Sequence, residues 1–241
     1  MTTQRPTWTV TLGIIVLAAL FILPSSAHAQ KFVPPDGKRI FIIGQDYDTI
    51  NVYLAATKNL LPVPAGFSTY TNISNGKEFG LTTPVEFFGG RFWAQGHMDD
   101  HPNTLLLIAV WLDYENVLDD ILNKKSDAQI EYLAKYIKSI QRPVFLRIGY
   151  EPDNEWHVMN SGSWTDKRRN AEKFKTVYNY IAGKIKNDYK VDNVAFVWHC
   201  MAGPLSIPYN AQTNAQVPSD WEGAMEWYPG DQYADWFAIL V

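Results

Sequence analysis

A chain of 241 residues, 46% hydrophobic and 19% charged, has the composition of one globular domain and not of a disordered segment. Its formal charge of −4, from 21 Lys and Arg against 25 Asp and Glu, lacks the basic footprint of a nucleic-acid binder. The lone Cys200 excludes an internal disulfide, while 9 Trp and 13 Tyr supply rings for a core or for a carbohydrate cleft.

Arg5 precedes an apolar run from Thr11 to Leu23, and Ala27-His28-Ala29 follows it. A charged start, a short apolar run and an A-x-A site predict a signal peptide over 1–29, cleaved after Ala29. The run is shorter than the ~20 residues of a membrane span, so no membrane association is expected after cleavage. The domain over 30–241 is therefore expected to be secreted. Export with a single cysteine fits a bacterial secreted protein better than a small stapled domain.

Arg39 to Ile43 reads as a short strand ending in Gly44-Gln45-Asp46, and a helix is expected over Asp48 to Thr57. Ala65 to Tyr70 suggests a second strand. The segment Gly89 to His101 is rich in Gly and aromatic residues and carries His97, Asp99, Asp100 and His101, a spacing that fits no standard zinc motif, so no metal is assigned. Thr104 to Leu112 is a buried strand. Apolar residues at Ile130, Leu133, Ala134, Ile137 and Ile140 predict an amphipathic helix over Asp127 to Ile140, capped by Ser126 or Asp127. A strand over Val144 to Ile148 follows. A helix over Lys167 to Lys186, a strand over Asn193 to Trp198 and a last strand over Tyr233 to Val241 complete the pattern.

Wholly apolar strands separated by amphipathic helices indicate parallel strands covered on both faces. Polar and aromatic groups gather at the strand ends, as they do where a (β/α)8 barrel builds its active site. A doubly wound sheet is the competing architecture, but Ile43-Gly44-Gln45-Asp46 has no GxGxxG, and no nucleotide or other cofactor is expected. A full barrel takes about 250 residues and eight strands. Six strands are counted here, and the chain ends inside an apolar one, so the last quarter of the barrel is expected beyond Val241.

The block Arg142 to Trp156, RPVFLRIGYEPDNEW, carries the chemistry. Glu151 stands at the exit of a buried strand beside Tyr150 and Trp156. A carboxylic acid against an apolar or aromatic wall holds its proton toward neutral pH, which suits it to protonate the leaving oxygen of a glycosidic bond. The competing reading is a structural carboxylate bound to Arg147. Strand alternation places Arg147, Gly149 and Glu151 on one face, with Gly149 leaving room between the charges and Arg147 orienting the acid. Trp198 is a candidate sugar platform, and His199 is either a group that hydrogen-bonds a hydroxyl or carboxylate or a satisfied core histidine. Trp156, Trp111 and Tyr228 are further stacking candidates, each alternatively plain packing. Gln45, Asp46 and Asp113 are candidates for sugar hydroxyls, whereas Asp231 is expected to orient its loop.

Together, Arg142-Pro143-Val144-Phe145-Leu146-Arg147, Tyr150-Glu151, Trp156, Phe196-Val197-Trp198 and the block Trp227 to Trp236 with its Tyr-Pro-Gly-Asp resemble the glycoside hydrolase family 26, the β-mannanase-like enzymes of the (β/α)8 clan. The resemblance spans roughly residues 39 to 240. It implies a strand-4 acid/base at Glu151, a retaining mechanism and a nucleophile from strand 7, expected beyond Val241. Tyr150 stands where those mannanases usually have His, and Pro152 and Asp153-Asn154 replace the usual following residues, so the implied substrate widens from mannan to related β-linked polysaccharides. The sequence thus points to a secreted glycosidase that cleaves a β-glycan. A non-catalytic carbohydrate-binding protein on a degenerate barrel is the alternative, and a lyase or transferase using the same cleft is a third.

Overall fold

The computed structural model describes residues 31–58, 60–73, 79–87, 89–112, 116–153, 167–200 and 224–239, with backbone alone at 167–170. The expected signal peptide, Asp113, Trp156 and the end of the expected last strand lie outside the described residues.

The first strand, β1 (Ile42–Gly44), leads into α1 (Tyr47–Thr57) and β2 (Gly66–Asn72). A hairpin of β3 (Val85–Phe87) and β4 (Gly90–Phe92) precedes α2 (Ala94–Asp100) and β5 (Leu105–Trp111). Two helices, α3 (Val117–Leu122) and α4 (Asp127–Ile140), lead to β6 (Val144–Ile148). Next, α5 (Lys167–Gly183), prolonged by a π turn over Lys184–Asp188, leads to β7 (Val194–Cys200), and β8 (Trp236–Ile239) follows. Six strands form one parallel sheet in the order β1-β2-β5-β6-β7-β8. The sheet curls into part of a (β/α)8 barrel, as the alternation of apolar strands and helices predicts.

Two apolar layers hold it. On the helix side, Leu106, Ile108, Leu146 and Phe196 pack in one cluster with Leu133 and Ile137 of α4 and Phe174 and Ile181 of α5. On the concave side, Phe145, Ala195 and Val197 meet Leu107 and Trp236. Strands buried on both faces carry no polar alternation until they reach the rim. The rim at the strands' N-terminal ends is closed by side chains that satisfy loop carbonyls. Arg142 donates to the carbonyls of His101, Thr104 and Met98 at 2.9, 3.2 and 3.1 Å. Asn193 donates to those of Ile137 and Arg142 at 2.8 and 3.0 Å.

Two local expectations change. Ser126 occupies the N-cap of α4, yet its side chain makes no capping bond and donates instead to the Ile73 carbonyl at 3.4 Å. Asp127 lies in the first helical turn, where it accepts from the Tyr180 hydroxyl at 2.6 Å and pairs with Lys184 at 3.0 Å, tying α4 to the end of α5. The alternation drawn through Gly149 also fails. Gly149 has φ +55, which ends the extended run at Ile148. A Cβ at Gly149 would lie 2.7 Å from Phe174 and 2.8 Å from Leu112, so the missing side chain faces the helix layer rather than the space between Arg147 and Glu151.

His97 of α2 packs into the core. His97 is fully buried, its ring stacks 5.3 Å from Phe67 and lies 5.2 Å from Tyr47. Among the described residues neither of its ring nitrogens has a hydrogen-bond partner. Burial, and then neighbouring His101, push its pKa down to about 4.

Gly149→Ala combines a left-handed backbone with overpacking, and it should cost about 2–4 kcal/mol, read as a lowered urea midpoint at unchanged m-value. His97 gives a second prediction. Its folded pKa lies below the ordinary value of about 6.5, so the unfolded chain takes up the extra proton between the two. Stability is therefore full above pH ~6.5 and lost as the pH falls through about 4. His97→Phe should flatten the dependence of the urea midpoint on pH across that window.

Candidate active site

A parallel sheet brings the C-terminal ends of all its strands to one rim. The register sets which side chains share the concave face there. Tyr70 of β2 pairs in register with Ala109 of β5, Ala109 with Arg147 of β6, and Arg147 with Val197 of β7. One step further toward the rim lie Trp111 on β5 and His199 on β7, the latter opposite Ala238 of β8. The small Ala109 leaves space for the larger groups on either side of it.

Arg147 lies 4.7 Å from the centre of the Tyr150 ring and 5.9 Å from that of Tyr70, and the two rings are themselves 5.4 Å apart. Ring faces hold the guanidinium by cation–π attraction, and its buried Nε has no hydrogen-bond partner among the described residues. Phe92, from the β3–β4 hairpin, meets Tyr70 edge-on at 5.4 Å. Phe87, from the same hairpin, lies 4.6 Å from Trp111. Trp111 thus stands in an aromatic wall at the rim.

Glu151 follows at the end of β6, half-buried, with φ 53. A non-glycine residue in this left-handed region is strained by about 1–2 kcal/mol, and such strain persists where surrounding contacts impose it. The contact here is a hydrogen bond from the Glu151 N–H to the His199 carbonyl at 2.9 Å, which joins the ends of β6 and β7. Its side-chain neighbour on β7 is the His199 imidazole, only 4% exposed, whose Nδ1 has no hydrogen-bond partner among the described residues. Burial first, then the Arg147 cation, push the His199 pKa down to about 4, with the Glu151 charge opposing them. His199 is therefore uncharged near neutral pH. A carboxyl, an uncharged imidazole, a guanidinium and several ring faces converge on one rim, which is the equipment for transferring a proton beside a ring-shaped polar ligand.

Other sequence candidates lie elsewhere. Trp198 alternates with His199 and so faces the helices, 0% exposed, against Tyr228 at 5.0 Å and Phe237 at 4.7 Å. It is a core residue and offers no sugar platform. Tyr228 packs on that same side and donates to Asp231 at 2.6 Å. Burial, then that bond, push its pKa up to about 12. The bond ties Tyr228 to Asp231 across the Tyr-Pro-Gly-Asp turn. Asp46 caps α1, its Oδ1 accepting from the Thr49 N–H at 2.9 Å, while Gln45 is exposed beside it. Asp113 and Trp156 lie outside the described residues. Sequence reasoning missed Tyr70 and Phe87. Tyr70 was visible as an aromatic residue at a strand end, the signal used for the other candidates, whereas the three-residue strands of the hairpin left no periodicity to find Phe87.

No protein-family model matches the chain. In sequence it is 27% identical over 228 residues to a β-1,3-xylanase of a Vibrio species, covering 94% of this chain and 43% of that protein. It is 26% identical over 228 residues to a β-1,3-xylanase of an Alcaligenes species, covering 94% of this chain and 42% of that protein. The chain thus spans less than half the length of these curated relatives. In fold it is similar to the Bacillus subtilis mannanase man26, with a TM-score of 0.56 at 14% identity over 83% of this chain and 63% of that one. A ruminal GH26 endo-β-1,4-mannanase gives a TM-score of 0.54 at 14% identity over 84% of this chain and 46% of that one. In its strand-end blocks, its sequence relatives and its partial (β/α)8 barrel, the chain resembles the glycoside hydrolases of family 26.

Proposed function

We propose that this chain belongs to a secreted glycoside hydrolase that cleaves a β-linked polysaccharide with retention, using Glu151 as general acid/base. The observation that carries the proposal is the placement of Glu151. The residue sits at the rim of β6, locked by a backbone bond to β7, next in the chain to Tyr150, whose ring together with that of Tyr70 holds Arg147 on the same strand. In the first step Glu151 gives its proton to the glycosidic oxygen as the partner carboxylate bonds to the anomeric carbon and the leaving sugar departs as its alcohol. In the second it takes a proton from the water that releases the sugar. The partner carboxylate of a retaining pair stands about 5–5.5 Å from the acid. We assign it to a strand following Val241, as the family resemblance implies. Trp111 and Phe87 are proposed to stack on sugar rings along the cleft.

A β-1,3-linked xylan is the first substrate to test. The relatives named β-1,3-xylanases match in sequence along 94% of the chain, whereas the mannanases share the fold at 14% identity. The departures at Tyr150 and Pro152 from the mannanase pattern weigh against mannan itself. The apolar run and A-x-A site before Gln30 support export.

In the whole protein, Glu151→Gln should keep oligosaccharide affinity but lose about 100- to 10,000-fold in turnover of β-1,3-xylan, measured by the release of reducing ends. Wild-type protein that binds the oligosaccharide and releases no reducing ends would instead establish a carbohydrate-binding protein. An unsaturated product absorbing in the ultraviolet would establish a lyase.

A further inference from the structure

His199 is tied to Glu151 twice. Its carbonyl accepts the Glu151 N–H at 2.9 Å, and its imidazole senses the charges of both Arg147 and Glu151. It alternates with the core residue Trp198, so its side chain faces the concave side, where it is 4% exposed and its Nδ1 lacks a partner among the described residues. The guanidinium of Arg147 is gathered toward the other flank, against Tyr150 and Tyr70. A cation near a carboxyl stabilises the carboxylate and strips the acid of its proton, and water does the same by solvating the charge. A general acid at this rim needs a filler that is bulky, uncharged and polar.

We propose that His199 is a positioning residue for Glu151: its carbonyl fixes the left-handed backbone of the acid, and its uncharged imidazole keeps water and the Arg147 charge from the carboxyl. The inference rests on Glu151 being the acid/base. The charged groups that act on the imidazole are Arg147 and Glu151, both carried by β6 or its end, while β8 offers the uncharged Ala238 on its other side. Burial and the Arg147 cation keep the imidazole neutral down to about pH 4, so the filler holds its character across the range in which a glycosidic acid works. The role belongs to the side chain as well as the backbone, so substitution separates the two: a variant keeps the carbonyl and loses the imidazole.

The test is a 13C NMR titration of the Glu151 carboxyl in the whole protein, with the resonance assigned by its loss in Glu151→Gln. His199→Ala should lower the Glu151 pKa by about 1 unit or more, through water entry and exposure to Arg147. His199→Gln, uncharged and of similar bulk, should restore it toward the wild-type value. The basic limb of kcat/KM should move with the carboxyl in each variant, because that limb reports the acid. An unchanged Glu151 pKa in folded His199→Ala overturns the inference, as does a His199→Gln pKa that falls as far as that of His199→Ala. These readings do not depend on turnover. Failure of Glu151→Gln to abolish turnover would overturn the proposed mechanism, whereas a static carboxyl pKa overturns only the role given to His199.

Discussion

The hydrogen bond from the Glu151 N–H to the His199 carbonyl is the contact on which the site depends. The ladder between β6 and β7 runs in register from Val144 and Val194 to Arg147 and Val197. Beyond it, Gly149 and then Glu151 adopt left-handed backbone, and a chain in that conformation no longer pairs as a strand. The bond at Glu151 recaptures the chain after the break. It converts a turn that would otherwise be set by its own torsions into one set by the neighbouring strand. Tyr150, between the two left-handed residues, is thereby directed onto Arg147, and Glu151 is directed to the rim. The strain of a left-handed glutamate is modest beside the packing that imposes it, because Gly149 is wedged against Phe174 and Leu112 in the core.

The same geometry explains how a charged residue survives inside the barrel. A half-buried arginine on the concave face has lost part of its water and must be compensated. Here two tyrosine rings take much of that part, and the pairing of Tyr70, Ala109 and Arg147 across three strands makes the space for them. A larger residue at 109 would separate Arg147 from Tyr70. The compensation leaves the guanidinium charge in place, which is why its influence reaches His199.

The architecture was legible because the inner strands β5, β6 and β7 are largely buried on both faces and α4 has a clear apolar stripe. The helix over Asp127–Ile140 and the strand over Val144–Ile148 coincide with their expected bounds. What was not legible follows from the places where simple periodicity stops. Alternation was carried too far, through Gly149, because positive φ at a glycine leaves no mark on a hydrophobic pattern. Trp198 and His199 are neighbours on one strand and face opposite ways, and composition alone does not say which face is concave. The larger, more apolar ring took the helix layer and the imidazole took the rim. The short hairpin carrying Phe87 and Phe92 is fixed by contacts with Trp111 and Tyr70, which are distant in sequence.

The two ends of the sheet are managed differently, and this bears on where chemistry is placed. At the strands' N-terminal side the segment before β1 runs across to the far strands. Lys31 donates to the Val194 carbonyl at 2.9 Å, the Trp236 indole donates to the Lys31 carbonyl at 2.7 Å, and Phe32 meets Phe145 edge-on at 5.9 Å. First and last strands are thus linked through one short segment, which also plugs the concave layer with a phenylalanine. These ties lie at the rim that carries no candidate chemistry. The opposite rim gathers the polar groups, as in barrels whose stability and reactivity reside at opposite faces. Changes at Lys31, Phe32 or Trp236 therefore act on the folding of the sheet, whereas changes at Arg147, Glu151 or His199 act on what the open rim can bind and protonate.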